Sequence, residues 1–219
     1  IDGIGGEVIV NDENLELNLS GRVDTKTNVK NCDLSLVINE FRPHSLNLTS
    51  DYIGDNFSLN ATANISGSSI SNIEGELSLD SMIVSNGDII TSPEYLQIQL
   101  ENNGLKSKNI NIDGNIICAK IKGDIDYKTL GSSIVSKFKA HLPTIFNNKV
   151  KTKNTYDFDI EIKDSKIIRH LLNKDYYLDT PISIKGNVND EFNEIEVNIN
   201  NDKISYEEFE YENINITDR

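Results

Sequence analysis

Apolar and polar residues alternate with a period of two along most of this chain, which restricts it to strands with one dry face and one wet face. Leu15, Leu17, Leu19 and Val23 share one phase, opposite Glu16, Asn18, Ser20 and Arg22. Cys32, Leu34, Leu36 and Ile38 continue the pattern, followed by Phe57, Leu59, Ala61, Ala63 and Ile65, and then by Leu77 and Leu79. In the second half it returns as Leu96/Ile98/Leu100, Ile110/Ile112, Ile117/Ala119/Ile121/Ile125/Tyr127 and Tyr156/Phe158/Ile160/Ile162. Ile182/Ile184/Val188 and Ile195/Val197/Ile199 complete it. A parallel sheet covered on both faces shows continuous apolar runs, so this alternation predicts antiparallel pairing. Turn residues at Asn86-Gly87-Asp88, Asn102-Asn103-Gly104 and Asn189-Asp190 stand where hairpins need them.

Glycine recurs inside the alternation at Gly21, Gly67, Gly75, Gly114, Gly123 and Gly186, at irregular intervals. Within a strand it marks a bulge, a bend or close backbone approach, and repeated bends curl a long sheet. The plainer reading puts these glycines in ordinary turns.

Two segments leave the strand period. Thr129 to Leu142 carries Leu130, Ile134, Val135, Phe138 and Leu142 at helical spacing, with Thr129 as the expected N-cap and Pro143 as the stop. Ser165 to Leu172 places Ile167, Ile168, Leu171 and Leu172 on one stripe behind Ser165 as cap. Pro43 to Leu48 reads as a turn or short helical piece. The chain is expected to be mainly β with two short amphipathic helices, one elongated unit over 1–219 with a candidate sub-boundary near 143–155. The aliphatic phases either line an open groove or pack on one another in a closed sandwich.

Charge removes one class of partner. With 35 acidic residues against 21 basic, the net charge of −14 repels a phosphate backbone, so nucleic acid is not expected. Hydrophobic residues make up 37% and Trp is absent, which suits exposed strands better than a compact helical core. No apolar run approaches the length of a membrane span, and the chain opens on Ile1 without an initiator Met, as an excised piece of a larger protein would.

No catalytic constellation stands out. His44, His141 and His170 are widely separated and read as solvated surface residues. Asp157, Asp159 and Glu161 form the wet face opposite Tyr156, Phe158, Ile160 and Ile162. Asp51, Gly54, Asp55 and Asn56 resemble part of a calcium loop but lack its order and its terminal Glu. Glu207, Glu208, Glu210 and Glu212 read as a charged strand edge. Cys32 and Cys118 lack metal-ligand spacing and are expected as buried free thiols, with a disulfide as the lesser reading. The N-x-[ST] triplets at Asn18, Asn47, Asn56, Asn60, Asn64 and Asn215 reflect an Asn- and Ser-rich composition. No enzyme, metal or cofactor is expected.

Phe41-Arg-Pro43-His-Ser-Leu46-Asn-Leu48-Thr-Ser-Asp51-Tyr52, Ile73-Glu-Gly75-Glu-Leu and Ile121-Lys-Gly123-Asp-Ile-Asp-Tyr127 occur in an order, with Tyr156-Asp-Phe158 and Ile184-Lys-Gly186-Asn-Val-Asn-Asp190, that resembles the middle region of the translocation and assembly module (TamB) family of the AsmA-like superfamily. The resemblance covers most of the chain. It implies an elongated sheet curved into an open, apolar-lined groove, the β-taco. It also implies a periplasmic location in Gram-negative bacteria, held to the inner membrane by a segment outside this chain, and an Omp85-type outer-membrane partner reached through other regions.

The implied role is non-enzymatic: phospholipid transport between the membranes, outer-membrane protein assembly, or both. Leu15, Leu17, Leu19, Leu34, Leu36, Leu77, Leu79, Ile98, Leu100, Ile117, Ala119 and Ile121 are the candidate groove residues, with phospholipid acyl chains as ligand. An extracellular β-sandwich adhesin or binding module is the competing function.

Overall fold

A computed structural model of the chain describes residues 3–87, 89–91, 94–104, 107–138, 152–172, 176–206 and 209–218. Its strands are β1 (Gly3–Asp12), β2 (Leu15–Asp24), β3 (Lys30–Phe41), β4 (Asn56–Gly67), β5 (Ile73–Asn86), β6 (Ile89–Ile90) and β7 (Glu94–Asn102). They continue with β8 (Ser107–Gly114), β9 (Ile117–Asp124), β10 (Thr155–Ile162), β11 (Tyr176–Leu178), β12 (Ile182–Asn189), β13 (Glu194–Tyr206) and β14 (Phe209–Asp218). Helix α1 (Tyr127–Phe138) joins β9 to β10, and α2 (Lys166–Leu172) follows β10. All strands belong to one curved antiparallel sheet that does not close on itself. Most neighbours in sequence are neighbours in space, as short antiparallel connections dictate, while the short β6 and β11 pair only with β5 and β13. The main path runs from β1 to β13, whose further side is covered by the edge strand β14. The sheet passes directly from β9 to β10, so the strands flanking 143–155 share it.

Register carries the sequence pattern across the whole sheet. One row of directly opposed residues reads Gly6, Gly21, Leu34, Ala63, Leu77, Ile98, Ile112, Ala119, Ile160, Ile184, Ile199 and Ile216. A row on the other face reads Arg22, Asp33, Asn64, Glu76, Gln99, Asn111, Lys120, Asp159, Lys185, Asn198 and Thr217. A one-residue slip in any strand would exchange its dry and wet sides, so the pattern itself fixes the pairing. Strand spacing of about 4.8 Å makes the apolar row roughly 50 Å long.

The curvature has local causes. Register shifts lie between Glu16 and Leu17, Ile38 and Phe41, Ser58 and Asn60, and Leu79 and Met82, at neighbouring levels of β2, β3, β4 and β5. Extra residues at matching levels bend successive strands along one line. Gly123 and Gly186 act differently, through close approach. A Cβ on Gly123 would lie 2.1 Å from the Thr155 carbonyl oxygen, and one on Gly186 would lie 2.7 Å from Cζ of Phe158. The Tyr156 backbone and Cβ lie against Gly123 and the Phe158 ring lies against Gly186, their cross-strand partners on β9 and β12. Gly123→Val is therefore expected to lower stability by about 2 kcal/mol or more, since a branched side chain would have to push backbone aside. Chemical denaturation measures this, and an unchanged midpoint would return Gly123 to the neutral positions.

Several expectations change in detail. Ile125 and Tyr127 leave the strand: Ile125 is buried beyond the end of β9, and Tyr127 begins α1. The N-cap is Asp126, not Thr129; its carboxylate accepts the Lys128 N–H at 3.1 Å. Ser165 does cap α2, accepting the Ile168 N–H at 3.3 Å. Residues 42–48 form a turn closed by the Leu46 and Leu48 N–H groups on Arg42 and Pro43 carbonyls. His141, Leu142, Pro143, Asp88, Glu207 and Glu208 lie outside the described residues, and Ile1 does too. Strands β1, β6 and β11 carry too little alternation, through glycine or brevity, to be legible in advance.

Candidate functional site

All twelve candidate groove residues fall on one face. Beyond the central row, Val8, Leu19, Leu36, Ala61, Leu79 and Leu96 align on one side of it. Ile4, Val23, Cys32, Ile65, Gly75, Leu100, Ile110, Ile121 and Phe158 align on the other. These three rows make an aliphatic trough whose ribs are the strands. No charged side chain interrupts them between Ile4 and Phe158.

Helical connections lie along the two rims. At one rim the 3-10 turn Ile70–Asn72, between β4 and β5, meets the start of α1: the Ser71 hydroxyl donates to Asp126 at 2.8 Å, and the Lys108 ammonium donates to the Ser71 carbonyl. At the other rim, residues 42–55 between β3 and β4 meet α2. Asp55 is buried, receives the Asn86 amide at 2.6 Å and lies 2.7 Å from Nε2 of His170, while the Tyr52 hydroxyl donates to the Leu171 carbonyl. His170 is therefore a rim contact and not a solvated residue, because α2 turns it onto a carboxylate distant in sequence. Asp55 is likewise committed to structure, and Asn56 accepts the Phe41 N–H at 3.0 Å, so the calcium-like fragment is a loop brace. Among the described residues no cluster of His, Cys, Asp and Glu could hold a metal ion.

Lys108 and Glu94, both buried, stand in the apolar phase near opposite strand ends, as the exposed Asp12 and Lys30 do on β1 and β3. Burial depresses the Lys108 pKa, and the cation sits 4.2 Å over the Tyr127 ring. Burial raises the pKa of Glu94, which the Ser165 hydroxyl partly offsets by donating at 3.1 Å. That hydrogen bond also places the start of α2 over the apolar face.

Exposure divides the trough into two stretches. Val8, Leu19 and Leu34 are 54%, 37% and 41% exposed, whereas Ile110, Ala119 and Val188 are 6%, 4% and 2% exposed. The difference is α1. Tyr127 and Leu130 pack on the buried cluster Ile110, Ile125, Tyr156 and Val188, so the sheet from β8 to β12 carries a helix where β1 to β3 carry none.

The opposite face is mainly polar, with Ile9 and Val37 among its exceptions. Asp157, Asp159 and Glu161 are exposed there as expected, with Asp159 paired to Lys185 at 2.9 Å. Glu210 in the edge strand β14 pairs with Lys203 at 3.0 Å. Both cysteines are free and half-buried. They point to opposite faces: Cys32 stands opposite Val23 and Ile65 in the trough, and Cys118 stands opposite Glu161, with the Lys163 ammonium 3.1 Å from its sulfur. A disulfide between them is geometrically excluded.

Comparisons with protein-family models, with curated proteins and with solved structures find no match to this chain. No helix among the described residues is long and apolar enough to cross a membrane.

Proposed function

We propose that this chain is a non-enzymatic scaffold whose trough holds the acyl chains of phospholipids, in the service of lipid transport or outer-membrane protein assembly. The observation that carries this reading is the uninterrupted aliphatic row on an open sheet, left half-exposed over β1 to β5. Soluble proteins rarely leave so long an apolar surface uncovered without a ligand or partner for it. Each methylene removed from water contributes about 0.8 kcal/mol. With no polar anchor along the rows, that gain is nearly the same at every position, so a chain can slide.

A periplasmic setting, an inner-membrane anchor and an Omp85-type partner rest on the sequence resemblance to the TamB family. A β-sandwich adhesin is the poorer reading, because the described strands form one sheet with no second sheet packed upon it.

A photo-crosslinking residue at Leu36, in the trough, is expected to capture phospholipid in cells, and one at Ser35 or Gln97, on the polar face, to capture none. Ser78 shares the polar phase but is covered by its neighbours, so it makes a poor control. Equal capture at both phases, or none at Leu36, would defeat the reading.

A further inference from the structure

We infer that α1 is the end stop of the trough and that the pocket beneath it receives the methyl end of an acyl chain. This inference rests on the lipid-holding reading above. Between α1 and the sheet lies a cavity of about 140 Å³ lined by Ile134, Phe158, Ile160, Ile184, Val188 and Ile195, among others, with almost no polar surface. An enclosed cavity of about 150 Å³ with apolar walls takes a benzene-sized molecule, and this recess is partly open, as entry of a chain end requires. Ile160 and Ile184 belong both to this pocket and to the central row, so the pocket is where the row passes under the helix.

The helix is fixed in place. Ser133 and Asn154, both fully buried, tie it to the sheet: the Ser133 hydroxyl donates to Asp190 at 2.9 Å, the Asp126 N–H donates to Asn154 at 2.7 Å, and the Asn154 amide donates to Thr129 and Asp190 at 3.2 Å each. The anchors run from Asp126, just before α1, to Ser133. Ile134, which follows them, is partly exposed over the pocket. A chain lying along the row meets a bolted obstacle with an apolar recess beneath it.

The chemistry of the recess selects the end that enters. Among the described residues its lining carries no charged group and only one hydroxyl, that of Tyr156, and the protein's net charge of −14 repels anionic headgroups. The occupant is thus the tail terminus of a neutral or zwitterionic lipid, with its headgroup left toward the open stretch.

Two phosphatidylcholine probes, with a diazirine either at the end of one acyl chain or next to the ester, test this on the whole chain by irradiation and peptide mapping. Adducts of the terminal probe should favour α1, β10 and β12 by about tenfold over those of the ester-proximal probe, which should favour β1 to β5. Ile184→Phe should fill the recess and cut terminal-probe labelling of β10 at least about fivefold, with labelling of β1 to β5 unchanged. Identical maps for the two probes would overturn the end stop and leave the trough standing. Absence of adducts anywhere on the apolar face would overturn both. The two-probe comparison needs no variant, so a misfolded Ile184→Phe would not rescue the idea.

Discussion

On the proposed function, Leu79→Asp is expected to reduce phospholipid transfer at least about tenfold while the chain keeps its β fold. Leu79 lies mid-trough, between Ala61 and Leu96, and is half-buried. Losing contact with two methylenes costs a passing chain about 1.6 kcal/mol, which alone exceeds a factor of ten. Desolvating the new carboxylate under a lipid adds to that barrier. The fold survives because the carboxylate can stay hydrated when no lipid is present. Transfer assays and circular dichroism separate these effects. If the chain unfolds with Asp at this position, the aliphatic face is a closed core in solution and the trough reading fails.

The second large effect is on stability. Asn154→Ala should cost about 3 kcal/mol, because it deprives the Asp126 N–H, the Thr129 hydroxyl and Asp190 of a partner inside the protein. Asn64→Ala, which removes an exposed hydrogen bond to Asp33 on the polar face, should cost no more than about 0.5 kcal/mol. Denaturant titration of the pair decides it; equal midpoints would mean that α1 is not held by this network.

Acid probes the same anchors. The Ser71 hydroxyl, foremost, holds the Asp126 carboxyl below its ordinary value against some burial. Burial pushes Asp190 up, but hydrogen bonds from the Asn154 N–H and from Thr152, Ser133 and Asn154 side chains outweigh it and leave Asp190 depressed. Depressed carboxylates contribute stability that is fully present above the unfolded value, about pH 4, and lost as pH falls through their folded values. Glu94, raised by burial, has the opposite sign: its protonation on acidification relieves a penalty beside α2. Amide-exchange protection of α1, corrected for the intrinsic rate, should therefore fall below about pH 4, and unchanged protection there would contradict this assignment.

Much of the architecture was legible because strand alternation is a local property that the register then repeats. Leu34, Leu77, Ile98 and Ala119 could be assigned to one face without knowing their neighbours, since each strand's dry side must meet the next. The rims were not legible. His170 and Asp55 are separated by 115 residues, and no periodicity links them. The α1 anchor was partly visible: Asp126 stands directly before the helical stripe as a stronger capping residue than Thr129, and that signal was there to be weighed. Burial of Asn154 and Ser133 was not, because each depends on a turn, Asn189–Asp190, brought in from another hairpin.

A container built of ribs has a length that can be counted. Every hairpin returns the backbone to the rim from which it started, with its aliphatic side facing the same way. Duplicating one hairpin anywhere along β1 to β5 would lengthen the apolar row by about 10 Å, twice the strand spacing, and disturb neither rim nor register elsewhere. The span of such a molecule can thus change only in steps of two strands if its rims are to be kept. A single inserted strand would instead reverse the direction of all that follow and carry each connection to the opposite rim.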